Sequence, residues 1–98
     1  MKYNSVQDGG WKMKIIKDYR IDYELLFTQQ YRSLQAIYTQ CVNEQDVFVK
    51  KSLLKLLLVK CDELITCINN GAEEDREEIL LQRKKFSKEL RELDHEDI

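Results

Sequence analysis

From Trp11 almost to the end of the chain, apolar residues recur at helical spacing, broken by the polar cluster Asn43-Glu44-Gln45-Asp46 and by Asn69-Asn70-Gly71. At about 100° per residue, Ile15, Ile16, Tyr19, Tyr23, Leu26, Phe27, Leu34, Ile37, Tyr38 and Cys41 fall on one face. Lys17, Asp18, Glu24, Thr28, Arg32, Gln35 and Thr39 lie outside it. The chain has no proline and three glycines, so it lacks the punctuation of a β-sandwich. Its 98 residues suit one folding unit, and 43% apolar against 35% charged residues is too hydrophobic for a disordered chain.

These breaks define three helices. The first is expected to start between Trp11 and Asp18, with Asp8 and Asp18 as candidate caps, and to end near residue 42. Residues 1–10, with Asn4, Ser5, Gln7, Asp8 and Gly9-Gly10, read as a flexible arm before it. The second helix spans about 46–70, with Asn43 or Asp46 as its N-cap and Gly71 closing it. The third spans about 72–94. Its acids, Glu73, Glu74, Asp75, Glu77 and Glu78, precede its bases, Arg83, Lys84, Lys85, Lys88 and Arg91, as the helix macrodipole favours. Asp94, Glu96 and Asp97 oppose the dipole, and fraying is expected after about Leu93.

The second helix carries the widest apolar arc. Around Leu54 stand Val47, Leu57, Leu58, Cys61, Leu64, Ile65 and Ile68, extended by Val49, Leu53, Leu56 and Cys67, over roughly 200°. Such a helix must be covered on two sides. The third helix has a narrow seam of Ile79, Phe86, Leu90 and Leu93, with Leu80 beside it and Arg83 in one core-facing slot. The chain is therefore expected to be all-α, an up-down-up three-helix bundle of long antiparallel helices forming one domain over 1–98. The alternative is an extended hairpin of the first two helices, with the third docking on another chain.

Chemistry-bearing residues are sparse. His95 lies in an acidic terminal stretch and reads as a surface residue, while Cys41, Cys61 and Cys67 sit inside apolar patterns without a histidine in a firm element. Cys61 and Cys67 are about 240° apart around a helix and cannot converge on one ion. Glu73 with Glu77, and Glu74 with Glu78, share a face, as a charged first turn does. No Gly-rich phosphate loop and no H-E-x-x-H occurs. No catalytic residue, cofactor or metal site is expected, and the protein is read as no enzyme. The cysteines read as reduced core residues, and Met1–Lys14 holds no apolar run of about 7 to 15 residues. The expected compartment is the cytoplasm, or the nucleus in a eukaryotic host. No membrane span is expected, because the richest apolar stretch, Leu53–Val59, is broken by Lys55.

Charge selects no partner. Residues 1–71 carry a net +2 and residues 72–98 a net −4. Lys50, Lys51, Lys55 and Lys60, and the basic group on the third helix, are candidate phosphate contacts, but Glu92, Asp94, Glu96 and Asp97 follow the latter and would repel nucleic acid. More informative are apolar residues on the polar sides. Ile21 and Leu25 form an i, i+4 pair away from the apolar face, Phe48 and Val59 lie in the polar arc of the second helix, and Leu81 stands about 200° from Ile79. Ile21, Leu25, Val59, Leu81 and the seam residue Leu90 are the candidate partner-binding residues. The expected function is a non-catalytic helical interaction module, such as a small subunit, adaptor, chaperone or inhibitor, binding a helical protein or itself. The alternative is a nucleic-acid-associated helical regulator using the basic groups.

Overall fold

Three aspartates, Asp22, Asp46 and Asp75, start the three helices. The computed structural model describes residues 21–96: α1 is Tyr23–Asn43, α2 is Val47–Asn69 and α3 is Arg76–Glu96. Asp22 Oδ1 accepts from the backbone N–H of Glu24 and Leu25, both at 3.1 Å. Asp46 Oδ1 accepts from Phe48 and Val49 at 2.9 and 3.3 Å, and Asp75 Oδ1 from Glu77 and Glu78 at 3.0 and 3.3 Å. Each carboxylate satisfies N–H groups that have no partner within the helix.

The first and third helices start later than the periodicity suggests. Asp22 has an extended backbone, φ −91° and ψ 99°, so no helix runs through it from a start between Trp11 and Asp18. The candidate caps Asp8 and Asp18, and the expected arm at 1–10, lie outside the described residues. At the other junction Gly71 takes φ 121°, a value that suits a residue without Cβ. The Gly71 N–H donates to the Ile68 carbonyl and the Ala72 N–H to that of Cys67, both at 3.0 Å, which is a Schellman closure. Ala72 is thereby tucked into the core and cannot begin a helix, so α3 waits for the next available cap, Asp75. At its far end α3 continues to Glu96 rather than fraying after Leu93. Asp94 pairs there with Lys51 of α2 at 3.0 Å, which ties the last turn down.

The topology is an up-down-up three-helix bundle with α2 in the middle. Both α1 and α3 lie along α2, but no Cα of α1 comes within 8 Å of α3. Leu54, Leu57, Cys61 and Leu64 form a fully buried column on α2. Phe27, Leu34 and Cys41 meet it from α1, and Ile79 and Phe86 from α3. The hairpin with a detached third helix is thereby excluded. Ile37 packs at the edge of this core rather than within it.

Between α1 and α3 the connection is made by side chains. Tyr38 and Phe86 have ring centroids 5.8 Å apart, and Lys85 Nζ lies 5.0 Å from the Tyr38 centroid while donating to its Oη at 3.2 Å. Among the described residues no helix is long and apolar enough to cross a membrane.

Leu57→Ala should lower stability by about 2 to 5 kcal/mol, through lost burial and the cavity left behind. Lys55→Ala, on the exposed side of the same helix, should change it by less than about 0.5 kcal/mol. Urea midpoints of the two variants check the phase of α2, and equal midpoints would contradict it.

Candidate interaction surface

The arrangement that buries one column of α2 leaves apolar side chains on the outside of all three helices. On α1, Leu25 is 55% exposed. Ile21 is 42% exposed but precedes the Asp22 cap, so the helical i, i+4 relation expected between these two does not hold. On α2, Val59 is 49% exposed, and on α3 Leu81 is 67% exposed. Leu90 differs from these four: it is half-buried against the core and belongs to the packing of α3 on α2.

Six further residues join the exposed set: Phe48, Leu56 and Leu80, together with Val42, Val47 and Val49, the last two of which the periodicity places in the apolar arc of the second helix. Phe48 is 77% exposed, the highest value among the large apolar side chains. It was readable as lying in the polar arc of its helix. Lys51 Nζ lies 6.0 Å from the centroid of the Phe48 ring. Leu56 and Leu80 were grouped with the apolar faces of their helices, yet they are 40% and 39% exposed. At about 200° from Leu54, and 100° from Ile79, each stands at the margin of its face, and the angular position was the available signal.

A groove of about 470 Å³ runs between α1 and α3, over Leu34 and Phe86 and rimmed by Tyr31, Gln35, Tyr38, Thr39, Gln82 and Lys85. Its polar groups are largely engaged within the chain. Lys85 is held by Tyr38, Thr39 Oγ1 donates to the Gln35 carbonyl at 3.1 Å, and Gln82 Nε2 donates to Glu78 at 3.3 Å.

Among the described residues four of the bases, Lys51, Lys60, Arg83 and Lys85, are similarly engaged, whereas Lys55 is not. Arg83 Nε donates to Asp62 Oδ1 at 2.8 Å and its Nη2 to Oδ2 at 3.4 Å, and Lys60 bridges Gln30 of α1 and Glu63 at 2.9 and 3.2 Å. With Lys51 on Asp94, these bases lace α2 to its neighbours, while Lys85 on Tyr38 joins α3 to α1. The Arg83 slot expected to face the core is half-buried, and its charge escapes along the α2–α3 seam to Asp62.

At the opposite end, Glu24 accepts a short hydrogen bond from the Glu73 backbone N–H. Glu74, hydrogen-bonded to the Glu24 side chain, has its carboxyl pushed above the usual range by that bond. His95 is exposed.

The three cysteines are free thiols and buried. Burial pushes each thiol above its ordinary value, that of Cys61 to about 11. Cys41 Sγ lies 4.0 Å from the Lys50 carbonyl as a weak donor. Such thiols are poor nucleophiles, because the thiolate is disfavoured where they sit. Among the described residues no group of three or more His, Cys, Asp or Glu could hold a metal ion.

No protein-family model, curated protein or solved structure matches this chain.

Native-state labelling of all three cysteines by a thiol reagent should be slow and become fast in denaturant. Because the folded Cys61 pKa lies above the unfolded one, the folded state retains a proton that the unfolded state gives up. The stability this confers is present below the ordinary thiol pKa of 9.0 and is lost as pH rises toward about 11. Denaturation at a series of alkaline pH values should show a shallower decline in Cys61→Ala than in the parent chain.

Proposed function

We propose that this protein is a non-catalytic helical interaction module, which acts as a small subunit, adaptor, chaperone or inhibitor and engages a helical protein partner or a second copy of itself. The observation that carries this reading is the outward placement of Leu25, Phe48, Val59 and Leu81 on a bundle whose own core is already filled. Single exposed apolar residues are ordinary on a protein surface. Here they occur on every helix and include a phenylalanine, a residue type that anchors interfaces. The proposed compartment is the cytoplasm, consistent with three unpaired thiols.

The nucleic-acid reading is disfavoured by what four of the bases already do. Lys51, Lys60, Arg83 and Lys85 are bound to side chains of the same chain, and releasing them for phosphates would break contacts that hold the three helices to one another.

Leu81→Glu should lower affinity for a helical partner by at least about tenfold, since it places a charge in the contact. The Lys84→Gln, Lys85→Gln double variant should change it by less than about threefold. Isothermal titration of both variants against the partner that cross-links to the parent chain checks this. A phosphate binder would show the opposite ranking and a shallower salt dependence in the double variant.

A further inference from the structure

Resting on the interaction reading, we infer that the outer face of α2 is a self-complementary surface on which a second copy of this chain docks antiparallel, about a two-fold axis at Val59. The face is the side of α2 that neither α1 nor α3 covers. Taking Val59 as its centre, Phe48, Ser52, Lys55, Leu56, Asp62, Glu63 and Thr66 lie within about 60° of it at 100° per residue. All are exposed, and among them Phe48, Leu56 and Val59 are apolar. The buried column points the opposite way, so this stripe stands as a ridge between the two flanking helices.

Its charge order specifies the occupant. Lys55 lies four residues before Val59 and Glu63 four residues after, each about 40° from it, on opposite sides. A two-fold axis through Val59 that runs the second α2 antiparallel brings Lys55 of each copy to the level of Asp62 and Glu63 of the other. Ser52 then comes level with Thr66, seven residues from the axis on either side. The parallel arrangement sets Lys55 against Lys55 and Glu63 against Glu63, and is rejected by repulsion. Two-fold pairing of one patch with itself is the commonest symmetry of soluble homo-oligomers.

The groups involved are available. Lys55 makes no ion pair or hydrogen bond with another described residue. Asp62 and Glu63 hold Arg83 and Lys60, yet their side chains remain 57% and 47% exposed, and an ionised carboxylate has acceptor sites to spare. Along this helix the bases Lys50, Lys51 and Lys55 precede the acids, the reverse of what its own macrodipole favours. An antiparallel copy supplies the missing compensation, one helix's basic half lying on the other's acidic half.

The apolar part of the contact is small, so the dimer is expected to be weak and concentration-dependent. Sedimentation velocity of the full chain, from low micromolar to sub-millimolar concentration, should show a monomer–dimer equilibrium that shifts toward monomer as salt rises. Val59→Asp, which sets two carboxylates face to face on the axis, should weaken the dimer by at least about tenfold. Lys55→Glu and Glu63→Lys should each weaken it, whereas the Lys55→Glu, Glu63→Lys double variant should recover at least half of the loss. Circular dichroism confirms that each variant remains helical. A chain that stays monomeric throughout, a dimer indifferent to Val59→Asp, or a double variant no better than the singles each overturns the inference. If the chain is monomeric while the partner affinity still falls with Leu81→Glu, self-docking fails and the wider reading survives. If Leu81→Glu has no effect either, both fail.

Discussion

Everything in this bundle hangs on the column of Leu54, Leu57, Cys61 and Leu64, which is sealed from solvent by two helices that barely meet each other. Fully burying a leucine is worth about 1.5 to 3 kcal/mol relative to exposure, and here the gain is shared across two interfaces at once. Removing either flanking helix would uncover part of the same column, so the packing of α1 and that of α3 are coupled through residues belonging to neither. The ion pairs are secondary. Arg83 with Asp62 and Lys51 with Asp94 are solvent-exposed in part, and pairs of that kind contribute at most about 1 kcal/mol each, chiefly fixing the register of α3 along α2.

The number of helices, their order and the central position of α2 were legible in the sequence, because a 200° apolar arc has few solutions other than a neighbour on each side. Asp46 and Gly71 were legible for a local reason: an N-cap aspartate and a C′ glycine act through their own backbone and need no tertiary partner. The starts of α1 and α3 were not. Helical periodicity continues upstream of Tyr23, and nothing in the pattern says that Asp22 takes an extended conformation. Likewise, the acids at Glu73 and Glu74 look like a first helical turn. Only the closure that seats Ala72 against α2 makes them a connection instead, with Glu24 of α1 receiving the Glu73 N–H.

The candidate surface shows the same division. Leu25, Val59 and Leu81 were readable from helical phase alone, since a residue opposite a well-defined apolar face has nowhere else to point. Leu90 was ambiguous because a seam residue faces whatever lies next to it, and here that is the chain's own core. Leu56 and Leu80 were misplaced because the margin of an arc is decided by how far around the helix its neighbour wraps, which periodicity does not encode.

The separation of α1 from α3 has a consequence for how the chain reaches this state. The close backbone contacts between helices all link neighbours in sequence, so each hairpin can zip up through short-range encounters, the regime in which small helical domains fold fastest. The Tyr38–Phe86 ring contact, by contrast, joins residues of the first and third helices with the whole of α2 between them in sequence. Opening α3 alone would break its core and ion-pair contacts with α2 together with the Tyr38–Lys85 hydrogen bond, while leaving the α1–α2 contacts in place.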